Sequence, residues 1–154
     1  MGELPSSHLI ARQIARLPRY LYASPHYLEF AGEPSQPTEL TQHECLRLHT
    51  QKKDVWTLYR DAESVEVSIR GRFLLNNVGM IQRLAAQGLG IAVLTEDIAA
   101  DEVANGHLHR ILPQWQARPI PVYAVTETRL LPAKTQCFID FLREHFNGTA
   151  VSTP

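Results

Sequence analysis

Few residues in this chain have the type and spacing that catalysis needs. Seven histidines are scattered through it at 8, 26, 43, 49, 107, 109 and 145. His43-Glu44 would open a zinc-protease motif, but the residue four beyond His43 is Arg47, which cannot be the second ligand. His107 and His109 would share a strand face, yet no third ligand lies near them in sequence, and a solvated strand face explains them better. Cys45 and Cys137 are far apart, lack CxxC spacing and sit in apolar patterns that favour burial, so two free thiols are expected. Gly88-Leu89-Gly90 lacks the third glycine of a dinucleotide loop and follows a helix rather than a strand. There is no G-x-S-x-G elbow and no P-loop. The chain is therefore read as a non-enzyme, with no cofactor and no metal.

What remains is binding. Asn76 and Asn77 precede a helix opened by Val78, and a helix N-terminus offers unpaired N–H groups and a positive dipole end that suit a carboxylate or other anion. Leu94, Thr95 and Glu96 stand at the carboxyl end of the next strand and form a second candidate group. Both groups also have structural explanations. Asn77 is equally well placed as an N-cap, and Thr95 as the cap of a helix over 96–104, which is preferred to a hydroxyl aimed at a ligand.

The elements that must position these residues follow from local pattern. Val78, Ile81, Leu84 and Ala85 recur at helical spacing, Gly88 and Gly90 end the helix, and Ile91 to Leu94 is a short apolar run suited to a buried strand. Upstream, Leu9, Ile10 and Ile14 suggest a short helix over 7–16, Arg19 to Ala23 a strand, and Ser24-Pro25 the start of a helix to Ala31. Pro37 to Leu40 reads as one helical turn, with strands near 45–49, 54–60 and 64–70; alternation of Val65, Val67 and Ile69 makes one face of the last wet. Downstream come a strand at 107–112, a Pro/Trp loop at 113–119 and a strand at 121–126. Pro132 begins a helix through Phe146, with Phe138, Phe141, Leu142 and Phe146 on its apolar face, and a polar tail follows from Asn147. Strands and helices alternate, as in an α/β fold.

Composition narrows the classes further. The chain has 154 residues, 44% of them hydrophobic and 20% charged, as ordinary globular proteins do. Fifteen basic against sixteen acidic residues leave a net charge of −1, without the basic excess of a self-sufficient nucleic-acid binder. Arg60, Arg70 and Arg72 are interleaved with Asp61, Glu63 and Glu66, which reads as a mixed solvated surface. Trp56 and Trp115 are expected to pack in the core or under a loop. No export signal or membrane-length apolar run is visible, so a cytoplasmic location is expected.

Ordered along the chain, these segments resemble the C-terminal part of the effector-binding region of LysR-type transcriptional regulators. The resemblance runs from Leu17-Pro18 through Ser24-Pro25-His26-Tyr27-Leu28, Pro37-Thr38-Glu39-Leu40 with His43 and Cys45-Leu46, Gly71-Arg72-Phe73 and Asn76-Asn77. It continues through Gly88 to Leu94, Gly106-His107-Leu108, Arg110-Ile111-Leu112, Pro121 to Val125 and Pro132-Ala133-Lys134. It implies an α/β, periplasmic-binding-protein-like (type II) effector domain, with a small molecule held in a cleft between two subdomains. Residues 19–124 would be the second subdomain, complete; 1–18 and 125–147 would be residual parts of the first, and 148–154 a flexible tail. In the family the loop at Asn76 and Asn77, which opens the helix at Val78, lines the effector cleft; with Leu94, Thr95 and Glu96 as the second candidate group these six are the expected effector contacts, although members commonly carry proline where Thr95 stands. The partners implied are a small-molecule effector, subunits of a homo-oligomer, and DNA through a winged helix-turn-helix absent from this chain. Two other readings stay open: an interaction module that pairs with a full-length regulator without binding ligand, and a fragment of a solute-binding protein.

Overall fold

The computed structural model describes residues 9–49 and 54–149, with side chains through Phe146. The chain divides into two compact units, one of Pro18–Pro119 and one of Met1–Leu17 with Ile120–Pro154. The boundary falls inside two long strands, β1 (Ile10–Ala23) and β8 (Gln116–Thr126).

The unit over Pro18–Pro119 is built on a sheet in the order β4-β3-β8-β1-β6, with β7 also paired to β1; β3 is Val55–Arg60, β4 Glu63–Ser68, β6 Ala92–Thr95 and β7 His109–Ile111. Strands β3 and β4 form a regular antiparallel hairpin from Val55↔Ser68 to Arg60↔Glu63, turning through Asp61 at φ +49°. Against β1, β6 runs antiparallel from Arg19↔Thr95 to Tyr22↔Ala92. A short parallel pair, β2 (Arg47–Leu48) with β5 (Leu74–Leu75), lies apart from this sheet.

Alternation along β1 sorts the core into two layers, because successive side chains leave a strand on opposite faces. Leu21 and Ala23 join Leu58, Ile91, Ile111, Trp56 and Cys45 in one buried cluster. Tyr22 joins Leu94, Ala92 and Leu108 in the other, where helices α2 (Val78–Ala86) and α3 (Glu96–Ala104) bury Ile81, Ala85 and Ala99. Two glycines allow the close backbone contacts of this unit. A Cβ on Gly90, at φ +151°, would stand 2.6 Å from the carbonyl oxygen of Glu44, and one on Gly71 would overlap that of Cys45. Only glycine fits there, so Glu44 and Cys45 can bridge to Arg70 and Ile91. Before them, α1 (Pro25–Ala31) opens on the Ser24 cap, whose hydroxyl accepts from Tyr27 N at 3.0 Å.

The second unit holds the N-terminal part of β1, the C-terminal part of β8 and α4 (Ala133–Thr149), with Ile14, Ala15 and Ile139 buried. Arg12 donates to the Arg129 carbonyl at 2.6 Å.

Four expectations need correction. The segment at 10–16 is strand, not helix: Ile10 and Ile14 are β-branched, and the run is too short to hold a helix against pairing that continues into 19–23. Ser7 and His8 lie outside the described residues. The loop placed at 113–119 ends early, because β8 begins at Gln116 despite Pro119 and Pro121. Two residues apart, these prolines turn their nitrogens to the same side of the strand, so donors are lost along one edge only. Helix α4 runs on through Thr149, so the supposed tail is helical over 147–149; residues 150–154 lie outside the described ones. Cys137 is exposed rather than buried, as are Phe138 and Phe141 on the same helix.

Candidate functional site

Helix α2 opens as its sequence suggests. Asn77 is extended, at φ −133° and ψ 120°, and its Oδ1 accepts from Met80 N at 3.0 Å. That cap satisfies one first-turn donor and leaves the amides of Val78 and Gly79 without intrahelical partners. The Asn77 side-chain NH2 remains a free donor, and both Asn76 and Asn77 are exposed beside the half-buried Val78. Asn77 is thus both a cap and an available donor.

The second group behaves differently. Leu94 is 1% exposed and belongs to the core against α2 and α3. Its neighbour Thr95 leaves the strand on the opposite face, across from Arg19. Thr95 has extended N-cap geometry but makes no side-chain cap hydrogen bond, and its buried Oγ1 has no partner among the described residues. Capping therefore explains its position and not its hydroxyl. Glu96 is exposed at the first position of α3, where with Asp97 it lies well against the helix dipole. A hydrogen bond from Gln82 Nε2 to the Ile98 carbonyl at 2.8 Å sets the early turns of α2 beside the first turn of α3. Helices α2 and α3 thus meet beside Gln82, while Leu94 and Thr95 face away from each other.

A pocket of about 210 Å³ is walled by Arg19, Val55, Trp56, Val93, Ala117 and Arg118 among others. These side chains come from four strands, β1, β3, β6 and β8. Arg19 Nε donates to the Arg118 carbonyl at 2.7 Å, and the Trp56 indole N–H is buried without a partner among the described residues. No sequence motif marked this pocket, since its wall is assembled from residues nearly a hundred positions apart.

Elsewhere, polar side chains serve the fold. The Tyr27 hydroxyl accepts from Glu44 N at 2.9 Å and meets His43 Nδ1 at 3.0 Å. Burial depresses the His43 pKa, partly offset by Glu39, and pushes the Cys45 thiol up to about 12. His107 Nδ1 lies 2.8 Å from Glu102.

An effector-type α/β regulatory domain with the periplasmic-binding-protein-like fold is the class these features define. The chain matches the LysR substrate binding domain over residues 1–147. Among curated relatives it is 34% identical over 142 residues to the HTH-type transcriptional regulator PtxR of Pseudomonas aeruginosa, covering 90% of this chain and 45% of that protein. It is 31% identical over 148 residues to the HTH-type transcriptional activator AaeR of Escherichia coli, covering 95% and 48%. Among solved structures, the regulatory domain of AphB from Vibrio vulnificus superposes with a TM-score of 0.71 at 36% identity, covering 90% of this chain and 70% of that one. Full-length AphB of Vibrio cholerae gives a TM-score of 0.74 at 30% identity, covering 94% and 50%. The chain belongs to the LysR family of transcriptional regulators, as part of its substrate-binding domain. It spans about half the length of the curated relatives it matches, and these relatives are regulators rather than enzymes. No helix among the described residues is long and apolar enough to cross a membrane.

Proposed function

We propose that this chain senses a small metabolite for a LysR-type regulator, with residues 19–124 as one effector subdomain and 1–18 with 125–147 as parts of the other. The family match over residues 1–147 carries this reading. Asn76, Asn77, Val78 and Glu96 meet the effector at the open end of α2 and α3, with an anionic group on the free amides of α2. Leu94 backs the site from the core, while Thr95, at the end of β6 on its opposite face, leads into the first turn of α3 that carries Glu96. The regulator acts as a homo-oligomer and contacts DNA through a winged helix-turn-helix carried outside this chain. Regulation requires that the effector bind one arrangement of the oligomer more tightly than another.

The test is a thermal-shift screen of small carboxylates, with hits titrated by calorimetry against the chain and its Asn77→Asp variant. Aspartate keeps an Oδ1 to cap Met80 but replaces a donor with a negative charge. An anionic effector at this site should bind at least about tenfold more weakly to that variant. Unchanged affinity refutes the assignment. Asn77→Ala is the poorer probe, because loss of the cap itself costs about 1 kcal/mol.

A further inference from the structure

Two polar groups from separate segments converge on one hydroxyl. Tyr27, on α1, accepts from Glu44 N at 2.9 Å and stands 3.0 Å from Nδ1 of His43. His43 closes the helical turn over Pro37–Gln42 and is 8% exposed. The hydroxyl has one hydrogen to give, and the Glu44 N–H already occupies its oxygen. Burial holds the Tyr27 pKa above its ordinary value, so the group stays a donor at neutral pH. Its hydrogen therefore goes to Nδ1, and neutral His43 carries its own proton on Nε2.

A proton added at Nδ1 sets two donors against each other across 3.0 Å, and the hydroxyl has no second acceptor among the described residues. Burial opposes the charged ring as well, while Glu39 on the same turn favours it. The neighbouring Glu44 also favours an imidazolium; Arg70, which donates to the Gln42 carbonyl at 3.4 Å, opposes it. The Cys45 thiol, pushed up to about 12, stays neutral. On α1, His26 packs edge-on against Phe30 and Glu29 is exposed, as are Glu63 and Glu66 on β4, which packs on the turn.

Glu44 carries this network toward the α2 site. Its carbonyl accepts from Ile91 N at 2.8 Å, just ahead of β6, and its carboxylate accepts from Arg72 N. From there the chain over 45–49 runs beside 70–75 as a ladder. Cys45 N donates to the Arg70 carbonyl at 2.8 Å, Arg47 N to that of Phe73 at 3.1 Å and His49 N to that of Leu75 at 2.7 Å. The ladder ends next to Asn76.

We propose that Tyr27 and His43 form a proton-operated latch on Glu44, closed while Nδ1 is bare and opened by a proton there. Opening frees the Glu44 tether and shifts the ladder that positions Asn76 and Asn77, so a fall in pH weakens effector binding at that loop. The last step rests on the effector reading above; the latch itself does not.

The 154-residue chain, labelled with nitrogen-15, is titrated from pH 7.5 to pH 5 without effector, and His43→Gln assigns the His43 ring. Long-range ring spectra should show His43 protonated on Nε2 alone at pH 7.5, with a midpoint below about 6.5. The amides of Glu44, Arg72, Ile91, Asn76 and Asn77 should shift with that midpoint, while those of Leu58 and Val65 in the β3–β4 hairpin stay still. Tyr27→Phe should raise the His43 midpoint by about 0.5–1, the worth of one hydrogen bond to the neutral ring, and uncouple the Glu44 amide from it. A ring proton on Nδ1 at pH 7.5, a midpoint unmoved in Tyr27→Phe, or still amides at Glu44 and Arg72 overturns the latch. So does equal movement of the hairpin amides, which would mean general loosening. Shifts at Glu44 and Arg72 that stop short of Asn76 overturn the link to the effector loop. Should Tyr27→Phe fail to fold, the ring tautomer and amide titration of the unaltered chain decide the matter. Neither needs an effector, so a failed Asn77 assignment in calorimetry leaves the latch standing.

Discussion

Thr95→Val tests the reading of β6 most directly. The side chain is 4% exposed, and its Oγ1 has neither a cap acceptor role nor any other partner among the described residues. Valine matches threonine in shape and β-branching, and the extended φ of −73° and ψ of 156° suit it equally. The substitution thus exchanges a desolvated hydroxyl for a methyl group and sacrifices no hydrogen bond. Burying an unpaired hydroxyl costs about 1–3 kcal/mol, so its removal should stabilise the domain by about 1–2 kcal/mol. In a chain of this size that raises the melting temperature by about 2–4 °C per kcal/mol. Urea unfolding followed by far-ultraviolet dichroism is the assay, with a higher midpoint at unchanged slope as the expected result. A destabilisation of about 1 kcal/mol would refute the reasoning, because it would mean that the hydroxyl caps α3 in solution as the sequence alone suggested.

Other predictions follow from the same structure. Gly90→Ala should destabilise by about 2–4 kcal/mol in urea unfolding, since its φ of +151° and the Glu44 carbonyl 2.6 Å from a new Cβ leave no relaxed position. With Ellman's reagent at pH 8, one thiol should react quickly, the exposed Cys137, and the second only on unfolding, because Cys45 is buried with its pKa pushed up to about 12. His43 has a folded pKa below its ordinary value, so the unfolded chain binds the proton more readily and stability falls as pH drops through about 6.5 and below. Its contribution is full above that range, and a stability difference between the native chain and His43→Gln that does not change between pH 8 and pH 5 would contradict this.

Legibility in the sequence followed the range of the interactions. The helix from Val78, its Asn77 cap and the turn through Gly88 were readable because every contact that fixes them lies within about one helical turn. Ser24-Pro25 was readable for the same reason. The strand from Ile10 was not, since its conformation is set by pairing that local spacing cannot show. Pro119 argued for a loop because a proline records a lost donor but not which strand edge it faces. Among the candidate site residues, Asn76 and Asn77 were found by chemistry at one helix end. Thr95's missing cap bond depends on a rotamer, and Arg19 with Trp56 depends on the register of four strands.

The sheet's two faces treat polar groups in different ways, and the difference bears on regulation. On the helical face, Asn77 is satisfied by Met80 N, so its free amine donor carries no standing penalty and ligand there adds new bonds to a relaxed site. On the other face, the Thr95 hydroxyl and the Trp56 indole are buried without partners among the described residues, each at a cost of about 1–3 kcal/mol. Arg19 pairs with Thr95 in register at the end of β1 and β6, and Thr95 leads straight into α3. An effector at Asn77 that regulates must therefore favour one arrangement of the domain over another through its own differential affinity.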